Sequence, residues 1–262
     1  MRLITWNINS VRLHLPIVLQ LLEQAKPDVL CLQEIKTVNE TFPTEALAEA
    51  GYAHQLVKGQ KGYNGVAILA REPIEASESP DWCAKGDSRH VSARLADGTE
   101  VHNFYVPAGG DVPDREANDK FAHKLDFLAE MRDWFEANRK PDQPMVLVGD
   151  LNIAPLETDV WSHKQLLKVV SHTPIEVEAL AAVQGSAAWV DAVREFVPES
   201  EQLYSWWSYR ARDWSAADKG RRLDHVWVTD PLRERLRAAT VLREARGWEK
   251  PSDHAPVMVD LD

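Results

Sequence analysis

Short apolar runs separated by turn residues recur along the whole chain. RLITWNI, DVLCLQE, GVAILA, VSARL, VHNFYV, MVLVGD, HVWVTD and PVMVDLD are each brief and rich in β-branched or aromatic side chains, so each predicts a strand. Between the first two, LPIVLQLLEQA sets its apolar residues at helical spacing. The stretch from Arg115 to Asn138, with Phe121, Leu125, Leu128 and Trp134, predicts a longer amphipathic helix. Pro174 followed by IEVEALAAV opens another, with acids in its first turn where the helix dipole favours them. Many strands with interspersed helices predict an α/β sandwich, two sheets packed face to face with helices outside. No low-complexity tract, long Gly/Ser linker or internal repeat interrupts the pattern, so one domain over residues 1–262 is expected.

Composition changes this picture little. With 44% hydrophobic and 27% charged residues, a sizeable core is available. The opening MRLITWNINS reads as a strand and lacks the apolar core of a signal peptide. No apolar run approaches membrane-spanning length, so no membrane partner and a cytoplasmic location are expected. Cys31 and Cys83 form neither a disulfide framework nor a zinc spacing. The net charge of −11 argues mildly against a nucleic-acid partner. The balance reverses locally: from Tyr204 to Arg222, Arg210, Arg212, Lys219, Arg221 and Arg222 oppose only Asp213 and Asp218. That stretch also holds several of the ten tryptophans.

The ends of the strands carry polar groups that core packing does not require. Asn7 and Asn9 follow LITW, Glu34 follows VLCLQ, Tyr105 follows VHNF, and Asp150 with Asn152 follows MVLVG. Asp224 precedes HVWV, and Asp253 with His254 precedes APVMV. If the second group of strands runs antiparallel to the first, all these ends meet at one edge. Carboxylates crowded there repel one another unless a cation joins them. Hard oxygen ligands without thiolates suit magnesium, manganese or calcium rather than zinc. A divalent ion with open positions, an imidazole and spare amides suits in-line attack on a phosphodiester. Taken singly, Asp150 reads as an Asx turn or helix cap, Tyr105 as a core aromatic, and Asp224 as a partner for Arg222.

In that order, WNINS, LQEIK, GYNGVAIL, YVP, GDLNIAP, RRLDHVWV and KPSDHAPV resemble the endonuclease/exonuclease/phosphatase superfamily, most closely its exonuclease III branch of abasic-site endonucleases. The resemblance covers essentially the whole chain. It implies a four-layer α/β sandwich, with two packed mixed β-sheets flanked by helices. It also implies a Mg2+-dependent repair nuclease, with Mn2+ as a substitute, that cleaves DNA 5′ to abasic sites with 3′-to-5′ exonuclease and 3′-phosphatase side activities. Its substrates would be double-stranded DNA with abasic sites or 3′ ends, bound by a monomer. Glu34 resembles the principal metal ligand, with Asn7 beside it, and Asp253 a second-site ligand; Asp150, Asn152 and His254 complete the implied metal-binding set. Asp150 resembles the general base, Asn152 the holder of the attacking water or of a phosphate oxygen, and Tyr105 and His254 the contacts to the scissile phosphate. Asp224 would orient His254 and keep it protonated. An alternative makes the His254–Asp224 pair the base and Asp150 the leaving-group acid. Ser10, Ala108, Asp111 and Arg221 depart from residues common in relatives, which bears on the abasic pocket and not on the metal core.

The main rival is a relative acting on inositol phosphates or phospholipids, which shares GDLN and SDH. The stretch YSWWSYRARDWSAADKGRR favours nucleic acid, since rings and arginines suit bases, sugars and phosphates, and it nominates Trp206, Arg212 and Arg221 for DNA contact. Its Trp207 is expected in the core. A second rival, a binding module without catalysis, does not account for carboxylates facing phosphate.

Overall fold

The computed structural model describes residues 1–262. Its strands are β1 (Arg2–Asn7), β2 (Val29–Gln33), β3 (His54–Lys58), β4 (Val66–Ala70), β5 (Glu75–Ala76), β6 (His90–Arg94), β7 (Glu100–Tyr105), β8 (Met145–Asp150), β9 (Val190–Asp191), β10 (Trp206–Trp207), β11 (Gly220–Arg221), β12 (Asp224–Val228), β13 (Leu236–Val241) and β14 (Val257–Leu261). The helices are α1 (Leu15–Ala25), α2 (Thr44–Glu49), α3 (Asp119–Asn138), α4 (His163–Leu166), α5 (Pro174–Ser186), α6 (Trp214–Ala217) and α7 (Asp230–Arg233). Two six-stranded mixed sheets form, in the orders β13-β14-β1-β2-β4-β3 and β5-β6-β7-β8-β12-β9, with a small β10-β11 ribbon apart. No helix is long and apolar enough to cross a membrane.

Strand alternation explains the layers. In β1, Leu3 points between the sheets, where it meets Val101, Val146 and Val226, while Ile4 and Trp6 point outward onto Ile17, Val18 and Leu21 of α1. In the second sheet, Val146, Val148, Val226 and Val228 face inward. Phe104, Leu147 and Trp227 face outward onto Phe127, Met131 and Phe135 of α3 and Leu180 and Val183 of α5. Strands covered on both faces bury every residue, which is why β2, β4, β8 and β12 read as mostly apolar runs without alternation, polar only at the ends. The result is helix, sheet, sheet, helix.

The inward rows change character at one end. Along β1 they run Leu3, Thr5, Asn7; along β8, Val146, Val148, Asp150; along β12, read backwards, Val228, Val226, Asp224. β1 and β2 are parallel, as are β7 and β8, while β12 is antiparallel to β8 with Asp224 opposite Asp150. β14 is antiparallel to β1. The polar ends of both sheets therefore meet at a single edge. Just below it, Gln33 Nε2 donates to Thr5 Oγ1 at 2.8 Å and to Asn103 Oδ1 at 2.6 Å, bridging the sheets beneath the site.

Candidate active site

Asn7 stands at the centre of the edge. Its Nδ2 donates to Glu34 Oε1 at 3.0 Å and to Asp150 Oδ2 at 2.9 Å, joining the two sheets through one amide. Glu34 Oε1 also accepts from the Tyr105 hydroxyl at 2.8 Å, and Lys36 Nζ lies 2.7 Å from Oε2. Glu34 and Asn152 both adopt left-handed backbone, at φ 49° and 55°. Such turns are uncommon for residues with a Cβ, and they occur here where the chain leaves β2 and β8. Asn152 N donates back to Asp150 Oδ1 at 2.9 Å, and its Nδ2 donates to Val106 O at 2.9 Å.

On the other side of Asp150 lies a hydrogen-bonded relay. His254 Nδ1 is 2.8 Å from Asp224 Oδ2, and the Ser205 hydroxyl donates to that same oxygen at 2.6 Å. His254 Nε2 faces Asp150 Oδ2 at 3.8 Å. Asp224 does not pair with Arg222, whose guanidinium is bound to Asp191 and lies 3.7 Å from Asp159. Asp253 sits to one side, accepting from Asn9 Nδ2 at 3.1 Å and Trp206 Nε1 at 2.9 Å.

Burial and charge set the protonation states. Burial raises Asp150, His254 pulls it down, and Asp224 pushes it up again, leaving it at about 7. Burial alone would lower His254, but the Asp224 and Asp150 carboxylates outweigh it and raise the ring to about 10. Burial raises Glu34, yet the Lys36 charge and the bonds from Asn7, Lys36 and Tyr105 leave it below its ordinary value. Burial, with the charges of Glu34 and Asp150, holds Tyr105 well above 10, so its hydroxyl stays protonated.

These groups form one end of a cleft of about 680 Å³. Trp161, Trp206, Trp214, Arg210, Lys219 and Arg221 line the rest of it. Arg221 is partly buried: its guanidinium lies 5.4 Å from the Trp206 ring and donates to Val170 O and Ser171 Oγ. Arg212 is exposed and does not line the cleft, whereas Arg210 does. Trp207 is 1% exposed, a core residue as expected. Sequence reasoning passed over Ser205 and Trp161. Ser205 lies in YSWW, yet a serine there carries no local sign that it supports an aspartate nineteen residues on.

Residues 4–254 match the Endonuclease/Exonuclease/phosphatase family. Exodeoxyribonuclease III of Haemophilus influenzae is 31% identical over 274 residues, covering 100% of both chains. The solved AP endonuclease from Archaeoglobus fulgidus is 33% identical with a TM-score of 0.93, over 100% of this chain and 99% of that one. The 3′ phosphatase NExo from Neisseria, solved bound to a product DNA hairpin, is 30% identical with a TM-score of 0.90, over 100% and 99%. This chain belongs to the endonuclease/exonuclease/phosphatase family and, within it, to the branch of exonuclease III and the AP endonucleases.

Proposed function

We propose that this chain is a Mg2+-dependent DNA-repair nuclease that incises duplex DNA 5′ to abasic sites and trims 3′ ends through the same site. The observation that carries the reading is the meeting of Glu34, Asn7, Asp150 and the His254–Asp224 pair at the base of a cleft walled by tryptophans and arginines. The related exodeoxyribonuclease III, AP endonuclease and 3′ phosphatase support it by their named activities.

The donor set fits a hard divalent cation. Glu34, Asp150 and Asp253 offer carboxylate oxygens and Asn7 and Asn152 offer amide oxygens, with no thiolate near. Burial and the nearby Asp224 and Glu34 charges hold Asp150 at about 7 in spite of His254, a strain that a cation at this edge would relieve. Glu34 and Asn7 would hold the ion, with Asp150 and Asn152 bordering it and Asp253 kept for a second position. Asp150, Asp224 and His254 place possible ligand atoms within 4.8 Å of one another. Asp224 is nevertheless committed to His254 and Ser205, and a ring raised to about 10 carries its proton at neutral pH. His254 is therefore assigned to the phosphate and not to the metal. When bound, the cation supplies charge stabilisation to the phosphate and its leaving oxygen.

The same values favour one of the two proton assignments. A ring near 10 is already protonated at neutral pH and makes a poor base, so Asp150 takes the proton of the attacking water. Asn152 has its Nδ2 committed to Val106 O, which leaves its side-chain oxygen to accept from that water. Tyr105 and His254 donate to phosphate oxygens, and Asp224, fixed by Ser205, holds the imidazolium in place.

An inositol-phosphate enzyme needs cations gathered about one small polyanion. Here they alternate with rings along an open cleft, which suits a nucleic-acid strand and an extrahelical sugar. The test presents abasic duplex, intact duplex, an inositol polyphosphate and a phospholipid to one preparation, with Asp150→Asn as control. Abasic duplex should turn over fastest. Faster turnover of either non-nucleic substrate, abolished by the control, would overturn the DNA reading.

A further inference from the structure

Arginines that leave solvent in this fold do so mostly against a carboxylate: Arg139 meets Glu100, Arg194 meets Asp159 and Arg222 meets Asp191. Arg221 does not. Its Nη1 donates to Val170 O at 3.0 Å and to Ser171 Oγ at 2.8 Å, both neutral acceptors. Its Nε is buried without a partner, and its Nη2 bonds to nothing in the protein. Glu176, the acid whose charge acts on it, is already joined to Lys124. Arg246 also lacks a carboxylate, but it lies against the Tyr209 and Trp214 rings and lines no part of the cleft. A cation partly withdrawn from water without a counter-charge is costly to hold, and it gains most from an anion brought to it.

Strand pairing says where along the cleft this charge stands. Arg221 pairs with Trp206 in the β10-β11 ribbon, and Trp206 pairs in turn with His254 through an isolated antiparallel bridge. Directly paired residues point to one face, so His254, Trp206 and Arg221 form a row, and all three line the cleft. His254 marks the scissile phosphate in the mechanism above. Arg221 is two strand spacings from it, about 9–10 Å between backbones. The long arginine side chain shortens that gap to the reach of one nucleotide, and the Trp206 ring, 5.4 Å from the guanidinium, lies between the two charges.

We infer that Arg221 binds the phosphate on the 3′ side of an extrahelical abasic nucleotide, whose 5′ phosphate lies at His254 and whose sugar lies against Trp206. The inference rests on the nuclease reading and divides its two activities. An internal abasic site carries that second phosphate, whereas a 3′-terminal phosphate has no nucleotide beyond it. Arg221 therefore favours incision over the trimming of a 3′ phosphate. Lys219 and Arg210 also line the cleft but stand outside this row, Lys219 with its Nζ over the Trp161 ring.

The test changes the phosphate and the arginine together. Two duplexes carry a stable tetrahydrofuran abasic analogue, one with an ordinary phosphodiester on its 3′ side and one with a neutral methylphosphonate there. In the wild-type chain the neutral linkage should lower kcat/KM for incision by about tenfold or more, and so should Arg221→Gln on the ordinary duplex. The two changes combined should cost little beyond either alone. Arg221→Lys, which keeps a point charge, should restore part of the difference between the duplexes. The ratio of incision to 3′-phosphate removal should drop by about tenfold in Arg221→Gln, a shift that general loosening of the cleft would not produce. Losses that multiply, or a ratio that stays at the wild-type value, would overturn this role. The first arm needs no variant: a wild-type chain that cuts both duplexes equally well would overturn the inference and leave the nuclease reading standing. A wild-type chain that cuts neither would overturn both.

Discussion

At the scale of single residues, what separates this edge from an ordinary polar strand end is how each group is used. Asp224 gives one oxygen to both Ser205 and His254, His254 keeps its proton, and Asp150 is left free to lose one. Asp224→Asn and His254→Asn should each slow DNA cleavage by about 10²–10⁴-fold, and the double variant should be little slower than the worse single one. Multiplying losses in single-turnover assays would contradict a shared role. The pH profile follows from the same values. Activity should rise as Asp150 ionises and fall as His254 deprotonates near 10, with a bound cation moving the acid limb below about 7.

At the scale of elements, α3 and α5 meet through an ion pair that neither helix pattern announces. Lys124 and Glu176 are both 0% exposed and joined at 2.5 Å. Lys124 Nζ also donates to Asn152 O at 2.8 Å, while Glu176 accepts from the backbone of Ser171 and Thr173. The pair thus fixes both the loop that carries Asn152 and the one on which Arg221 rests. Glu176→Gln leaves a buried ammonium without its counter-charge and should cost about 3–5 kcal/mol in urea unfolding. A loss below about 1 kcal/mol, the range of an exposed pair, would show that the pair is not what holds the loops.

Glu176 was legible only as an acid in a first turn. The sequence shows its position on the helix and hides the lysine fifty-two residues earlier. The strands behave alike. Those covered on both faces were legible as apolar runs, but edge strands β3 and β13 were not. β13 reads LRAATV and leaves most of its residues partly or fully exposed, so no run marks it. The helix expected from Arg115 begins at Asp119, because the Asp114 carboxylate ties a turn to Glu116 N and Ala117 N, and Asn118 then caps the helix. At the site, residues that end apolar strands could be named from the sequence. Arg212 could not be told from Arg210, since in an irregular loop spacing does not say which side chain faces the cleft.

At the scale of the molecule, buried titrating groups shape the pH dependence of the fold. His90 and His102 are fully buried, stacked 5.4 Å apart against Phe104 and beside Glu100, Glu78, Lys58 and Arg139. Burial, first of all, lowers both, so below about 6.5 the unfolded chain binds more protons and stability falls with pH. Glu100 is also lowered: burial opposes its ionisation, but His102, Arg139 and Ser77 overcome it, which adds a further loss below about 4.5. His254 has the opposite sign. Raised to about 10, it stabilises the fold below about 6.5 and loses that contribution as pH climbs through 10. His102→Gln should therefore flatten the decline of melting temperature from about pH 6.5 to 5 relative to the wild-type chain. An unchanged slope would place the acid sensitivity elsewhere.

The central claim is that carboxylates brought from both sheets to one edge act on DNA through a divalent cation. The most direct measurement is the rate of incision of a duplex with one abasic site, across a Mg2+ titration that starts in excess chelator, for the wild-type chain and Glu34→Gln. The wild-type chain should be inactive in chelator and recover with Mg2+, while Glu34→Gln should need more metal and stay slower by orders of magnitude at saturation. Incision that persists in chelator, or a Glu34→Gln titration that overlays the wild-type curve, would contradict the account.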